Sequence, residues 1–169
     1  MLDVIASDEG ALADGPIFIG GAARSGTTLL RVILDSHSRI ACGPELKIAQ
    51  IILRQWQEVR QGRIEDAQTI PPEDVDQLYR ALFMGLLDPY RRATGKARVA
   101  EKSPNNVFLF RALGALFPAA RFIHIVRDGR DVVASLLRQT HWRDAETGAR
   151  VAYTQDAGIA ARYWKAAMS

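Results

Sequence analysis

The chain has 169 residues, of which 48% are hydrophobic, and its 22 basic and 19 acidic residues give a formal net charge of +3. A chain of this length forms one hydrophobic core, so we expect one domain. The charge excess is small and contains no long run of lysine and arginine, which argues against a nucleic acid partner. No apolar run is long enough to predict a membrane span.

The N-terminus and the single cysteine bear on the compartment. Residues 1–15 are acidic and have neither the basic start nor the long apolar stretch of a signal peptide, so we predict a solvated leader. Cys42 has no second cysteine with which to form an internal disulfide. Both features favour a reducing compartment, and we expect a cytoplasmic protein.

The first predicted elements are a strand and three helices. PIFIG (16–20) is a short apolar run that predicts a strand, and TTLLRVILDSH after it has leucine and isoleucine at helical spacing. Residues 46–62 and 73–95 predict two further helices, separated by prolines in IPPED that end one helix before the next begins. Together these two helices form an excursion between strands.

Two further strands complete the predicted sheet. ARVAEK (97–102) and RFIHIV (121–126) predict strands, and residues 103–118 between them predict a helix capped by Ser103. Helices are also predicted over RDGRDVVASLLRQ and, at the end of the chain, over QDAGIAARYWKAAMS. The alternation predicts an α/β fold with a parallel sheet flanked by helices. Because three strands are few for such a sheet, we expect a C-terminal part of the fold to be missing.

The segment GGAARSGTTLL has the spacing of a phosphate-binding loop. Four residues separate Gly21 from Gly26, as in GxxxxGK[ST], but Thr27 replaces the lysine that contacts the β- and γ-phosphates of a nucleoside triphosphate. Backbone N–H groups, a helix N-terminus and hydroxyl groups suit an anion without that lysine. The predicted ligands are residues of the loop: Gly21, Ala22, Ala23, Arg24, Ser25, Gly26, Thr27 and Thr28.

A polar cluster follows each of the three predicted strands. Ligands of an open parallel sheet bind outside the carboxyl ends of its strands, so we expect the three clusters to meet. The third cluster supplies Arg127, and Ser135 follows two helical turns later, so the two can hold a second phosphate through a forked cation and a hydroxyl. Two anion sites indicate a nucleotide that is phosphorylated at two places.

Two long segments resemble a known family. PIFIGGAARSGTTLLRVILDSH resembles the 5′-phosphosulfate-binding loop of the sulfotransferases that use 3′-phosphoadenosine 5′-phosphosulfate (PAPS), and RFIHIVRDGRDVVASLL resembles their 3′-phosphate-binding segment. CGPELKI and AEKSPN are most similar to the tyrosylprotein sulfotransferase branch and its bacterial relatives. The resemblance implies a P-loop-containing, sulfotransferase-like domain over residues 16–169 that is the N-terminal portion of a longer fold.

The resemblance also implies a reaction. A sulfuryl group passes from PAPS, the co-substrate, to a hydroxyl-bearing acceptor without a metal ion, a transfer that needs a base and cations near the leaving phosphate. Glu45 matches the catalytic glutamate and is assigned as the general base, while Arg24 and Lys102 stabilise the sulfuryl group and the leaving oxygen. Peptide tyrosine, a sugar hydroxyl, an amine and a small phenol all stay open as acceptors, and a homodimer is compatible with the sequence.

Each assignment has an alternative. Glu45 is also compatible with a first-turn helix acid, Lys102 with a solvated lysine at a strand end, and Arg127 with a surface ion-pair network inside RDGRD. Trp164 is expected to pack in or beside the core. The rival functions are a kinase or other P-loop nucleotide enzyme, which should have the loop lysine, and a non-catalytic anion-binding domain, which needs no base.

Three departures from the family are visible. The resemblance implies a disulfide partner for Cys42 at the position of Ala100, where no cysteine is present. Gln139 occupies the position of a family arginine, and Arg138 lies one residue earlier. The glycine-rich loop that closes over the nucleotide in the family has no counterpart in this sequence.

Overall fold

A computed structural model of the chain describes residues 15–64, 69–144 and 147–169, so the predicted leader up to residue 14 lies outside the described residues. In chain order the elements are β1 (Ile17–Gly20), α1 (Thr27–Asp35), β2 (Ile40–Cys42), α2 (Ala49–Arg60), α3 (Pro72–Ala93), β3 (Arg98–Lys102), a 3₁₀ helix (Pro104–Leu109) that continues into α4 (Phe110–Leu116), β4 (Arg121–His124), α5 (Gly129–Leu137), a 3₁₀ turn (Ala152–Thr154) and α6 (Ala157–Ala167). None of the described helices is both long and apolar enough to cross a membrane.

The sheet has four parallel strands in the order β2-β3-β1-β4. This confirms the predicted α/β fold with a parallel sheet flanked by helices. The prediction of three strands was wrong, because β2 was not predicted. A strand of three residues is too short to show a periodic pattern. All four carboxyl ends lie at one edge of the sheet, which is where the predicted polar clusters begin.

The central strand β1 is buried on both faces. Phe18 packs into the cluster formed with α2, α3 and α4, whereas Ile17 and Ile19 pack with side chains of α1 on the other face. A fully buried apolar strand is typical of a parallel sheet covered by helices on both sides. The loop that follows β1 is therefore anchored to the most constrained strand of the fold.

Two predicted helix starts were displaced in the structure. The helix predicted from residue 46 begins at Ala49, so residues 43–48 form an irregular segment that carries Glu45. The helix predicted from Ser103 opens with a 3₁₀ turn, and the Ser103 hydroxyl donates to Glu101 at 2.7 Å instead of capping the helix. In both places the buried carboxylate of Glu101, in β3, accepts a hydrogen bond from the residue at the predicted helix start: the Leu46 N–H and the Ser103 hydroxyl.

Close contacts with the backbone explain the paired glycines Gly20 and Gly21, where β1 ends and the loop begins. A Cβ atom on Gly20 would lie 2.9 Å from the Cα of Val107, in the 3₁₀ helix after β3. A Cβ atom on Gly21 would lie 2.7 Å from the Cγ2 of Ile125, just after β4, and closer still to the carbonyl oxygen of that residue. The chain therefore leaves β1 through a gap between the ends of its two neighbouring strands.

The close contact at Gly20 predicts a large cost for one methyl group. Gly20→Ala should lower the free energy of unfolding by about 1–3 kcal/mol, the usual cost of overpacking, because the nearest atoms belong to the backbone. Gly114→Ala, inside α4, is the control. The new Cβ would contact only the Phe122 ring, at 3.6 Å, so this substitution should stabilise the helix by up to about 1 kcal/mol. Urea unfolding of both variants measures the difference, and equal stabilities would contradict this packing.

Candidate anion site and the buried Glu45–Lys102 pair

The loop after β1 has an unusual backbone conformation. Arg24 and Gly26 have φ angles of 74° and 99°, and the Ser25 N–H donates to the carbonyl oxygen of Ala22 at 3.1 Å. A left-handed conformation is uncommon for a residue with a side chain, and such strain is typical of functional loops. The loop therefore turns tightly before α1 begins at Thr27.

Several groups of the loop are suited to hold an anion. Gly26 precedes α1 and has no side chain that could cap the helix. The N–H groups of the first turn of α1 can therefore bind an anion. The Ser25 hydroxyl is buried and has no hydrogen-bond partner among the described residues. Thr27 is buried and Thr28 is exposed. A buried hydroxyl without a partner is costly in a protein interior, which favours a ligand at this place.

The structure brings the loop into contact with the segment after β4. The Nε of Arg24 donates to the Oγ of Ser135 at 3.0 Å, and Nη1 of Arg127 donates to the carbonyl oxygen of Arg24 at 3.2 Å. The residues predicted to hold two separate phosphates thus contact each other. Arg127 also forms the ion pair that the alternative interpretation predicts, with Asp131 at 3.3 Å. Both partners are exposed, so this pair stabilises the fold little and can yield to a phosphate.

Lys102 and Glu45 form an ion pair at the same edge of the sheet. The Lys102 side chain is 2% exposed, and its ammonium group donates to Oε1 of Glu45, whose side chain is 28% exposed. Lys102 is the register neighbour of Ile19, the residue before Gly20, where β1 ends and leads into the loop. The two alternative interpretations were wrong, because Lys102 is buried and Glu45 does not lie in a helix.

Glu101 holds the segment that carries Glu45, a role that the sequence did not reveal. Its carboxylate is buried and accepts hydrogen bonds from the Leu46 N–H at 3.1 Å, from the Ser103 hydroxyl and from the Asn106 side-chain amide. Neighbouring residues of a strand point to opposite faces, so Glu101 and Lys102 hold different partners. The signal in the sequence is that Glu101 comes directly before the strand-end residue Lys102, within the polar cluster EKSPNN.

A second network holds the end of α1 to β2. Burial opposes ionisation of Asp35, but hydrogen bonds from the Cys42 N–H at 2.9 Å, from the Tyr90 hydroxyl at 2.8 Å and from Lys96 lower the pKa of its carboxyl. Burial raises the pKa of the Cys42 thiol to about 12. Cys42 pairs in register with Ala100, which is the position where the resemblance places a disulfide partner.

These features together define an α/β protein whose candidate site combines an anion-binding loop with a buried acid and lysine. The sheet places the loop after β1, the lysine at the end of β3 and an arginine after β4 at one edge. This arrangement suits the transfer of an anionic group more than binding alone, because an acid lies next to the cation.

The chain belongs to the sulfotransferase family. The model of the family described as "Sulfotransferase family" matches residues 16–169. The chain is 34% identical to protein-tyrosine sulfotransferase 1 of Homo sapiens over 125 residues, which are 72% of this chain and 33% of that protein. It is 32% identical to protein-tyrosine sulfotransferase A of Caenorhabditis elegans over 142 residues, 80% of this chain and 37% of that protein. The chain thus spans about a third of the length of these relatives.

The buried pair predicts unequal effects of removing its two members. Glu45→Ala should lower the free energy of unfolding by about 1–3 kcal/mol, because it leaves a buried ammonium group without its partner. Lys102→Met should cost less, because water can reach the Glu45 carboxylate, and Glu45→Ala should add little to a protein that already carries Lys102→Met. Urea unfolding measures all three variants.

An exposed ion pair provides the control for this prediction. Glu58 and Arg63 pair at 3.0 Å with side chains that are 39% and 59% exposed. Glu58→Ala should therefore change the free energy of unfolding by no more than about 0.5 kcal/mol. Equal costs for Glu45→Ala and Glu58→Ala, or additive costs at Glu45 and Lys102, would contradict the buried pair.

Proposed function

We propose that this protein transfers a sulfuryl group from PAPS to an acceptor hydroxyl, and that tyrosine in a protein is the acceptor. The observation that carries the proposal is the Glu45–Lys102 pair, in which Lys102 is the register neighbour of Ile19 in the strand that leads into the loop. Membership of the sulfotransferase family supports the reaction. The names of the two relatives, both protein-tyrosine sulfotransferases, support the acceptor.

In this proposal each charged residue has one task. The Glu45 carboxylate accepts the proton of the acceptor hydroxyl while the acceptor oxygen bonds to sulfur and the bond from sulfur to the bridging oxygen breaks. Lys102 and Arg24 stabilise the sulfuryl oxygens and the charge that develops on the leaving phosphate. An ammonium group has three N–H donors, so Lys102 can bind the donor without releasing Glu45.

The donor nucleotide is proposed to use both anion-binding segments. Its 5′-phosphosulfate binds to the N–H and hydroxyl groups of the loop before α1, where Ser25 has a buried hydroxyl without a partner among the described residues. Its 3′-phosphate binds to Arg127 and Ser135. The Arg24 guanidinium now donates to the Ser135 hydroxyl, so it lies where it can also reach a phosphate held there.

The two rival functions are less well supported. A P-loop kinase needs a lysine where this chain has Thr27. A non-catalytic binding domain could dispense with an acid paired with a buried lysine, whereas Glu45 and Lys102 form such a pair. We propose a cytoplasmic location, because Cys42 is a free thiol and its register neighbour is Ala100.

Nucleotide binding tests the donor assignment. The protein should bind 3′-phosphoadenosine 5′-phosphate more tightly than adenosine 5′-phosphate, and both more tightly than ATP with Mg²⁺, in calorimetric titrations. Ser135→Ala should weaken binding of the doubly phosphorylated nucleotide by about tenfold or more, because a hydrogen bond to a charged group is lost. The same substitution should leave the affinity for adenosine 5′-phosphate nearly unchanged.

A matched serine provides the control for this titration. Ser36 lies at the end of α1 and donates to the carbonyl oxygen of Ile33 at 2.7 Å, so Ser36→Ala should bind both nucleotides like the wild type. Tighter binding of ATP with Mg²⁺ than of 3′-phosphoadenosine 5′-phosphate would support the kinase alternative. Equal losses for the two adenosine nucleotides in Ser135→Ala would show that Ser135 does not hold the 3′-phosphate.

A further inference from the structure

A tyrosine of the last helix contacts the backbone of the anion-binding loop. The Ala23 N–H donates to the hydroxyl oxygen of Tyr163, in α6, at 2.9 Å, across 140 positions of sequence. Ala23 is buried, with 7% of its surface exposed. Without the hydroxyl its N–H would be a buried donor with no acceptor, which is costly. The position of the loop therefore depends on α6.

The next residue of α6 contacts the other anion-binding segment. The indole N–H of Trp164 donates to the carbonyl oxygen of Arg127 at 3.0 Å. Its ring lies against Gly129, where a Cβ atom would come within 2.9 Å of Cδ2. The glycine in RDGRD thus allows the indole to approach the backbone closely. Two consecutive residues of one helix bind the two segments that the proposed function assigns to the two phosphates.

The rings that make these contacts are held firmly. Tyr163 stacks on Tyr153 with ring centroids 4.3 Å apart and 20° between the planes. The Phe108 ring is tilted against the Tyr163 ring, with centroids 5.9 Å apart. A single apolar cluster joins the loop, α5 and α6: Ala22, Ala23, Val132, Leu136, Ala160, Tyr163 and Trp164. Burial raises the pKa of the Tyr163 hydroxyl to about 12, so the hydroxyl stays neutral at physiological pH.

We propose that Tyr163 and Trp164 are positioning residues that hold the two anion-binding segments at the separation that one doubly phosphorylated nucleotide requires. Tyr163 fixes the turn that contains Arg24 and Ser25 through the Ala23 amide, and Trp164 fixes the backbone at Arg127. Neither residue touches the reacting atoms. The identity of the ligand rests on the proposed function, whereas the two contacts do not.

The two contacts predict separate effects on the two phosphate sites. Tyr163→Phe removes the acceptor of the Ala23 amide and should weaken binding of adenosine 5′-phosphate roughly 2–10-fold, the usual effect of one hydrogen bond, while the affinity for adenosine 3′-phosphate stays the same. Trp164→Phe removes the N–H that holds Arg127 and should weaken the binding of adenosine 3′-phosphate more than that of adenosine 5′-phosphate. Both variants should weaken the binding of 3′-phosphoadenosine 5′-phosphate.

Tyr153→Phe is the matched control. It keeps the stacked ring and removes a hydroxyl that has no hydrogen-bond partner among the described residues, so all three nucleotides should bind as they do to the wild type. Thermal unfolding of each variant shows whether the fold is weakened as a whole. Equal loss of affinity for all three nucleotides in Tyr163→Phe, with a matching loss of thermal stability, would overturn the proposal because it marks general destabilisation.

Amide hydrogen exchange by NMR tests the same proposal without a nucleotide. The Ala23 amide should exchange roughly 2–10-fold faster in Tyr163→Phe than in the wild type. Its exchange rate in Tyr153→Phe should equal that of the wild type. If the Ala23 amide exchanges at the wild-type rate in Tyr163→Phe, Tyr163 does not hold the loop and the proposal is wrong. If the wild-type protein binds none of the three nucleotides while exchange changes as expected, the proposed function fails and the hold of Tyr163 on the loop stands.

Discussion

A buried ammonium group needs an anion beside it, and at the end of β3 that requirement links the strand to the segment that carries Glu45. Lys102 is almost fully buried, and Glu45 is its ion-pair partner among the described residues. Glu101, next to Lys102 in the strand, holds the same segment through the Leu46 amide. Because removing either acid leaves buried donors without partners, stability and the proposed chemistry depend on the same few atoms.

The rest of the site is organised around the exit of β1. Gly20 and Gly21 pass between the ends of the neighbouring strands, and the loop then turns back through Arg24 toward Ser135. Helix α6 contacts both this loop and the segment at Arg127. The sheet sets the direction of each segment, while α6 sets the distance between them. A site built in this way is largely formed before a ligand binds, which reduces the cost of binding the proposed nucleotide.

The sequence predicted what depends on local pattern and missed what depends on tertiary contact. The glycine spacing of the loop, the apolar run of β1 and the alternation of strands and helices were enough to predict the parallel sheet and the edge that carries the site. The short strand β2 has no such pattern, and the burial of Lys102 depends on Glu45, 57 positions away. The contact between Tyr163 and Ala23 could not be predicted from the sequence, because a tyrosine at helical spacing indicates only a core residue.

An assay of sulfuryl transfer is the most direct test of the proposed reaction and of Glu45 as its base. The full chain is incubated with PAPS carrying labelled sulfur and a tyrosine-containing peptide, and label on the peptide is compared between the wild type and Glu45→Gln. We expect transfer by the wild type and a turnover lowered by roughly 10²–10⁴ in Glu45→Gln, the usual range for a positioned base, with the affinity for 3′-phosphoadenosine 5′-phosphate nearly unchanged. Transfer by Glu45→Gln at the wild-type rate would contradict the assignment of Glu45 as the base.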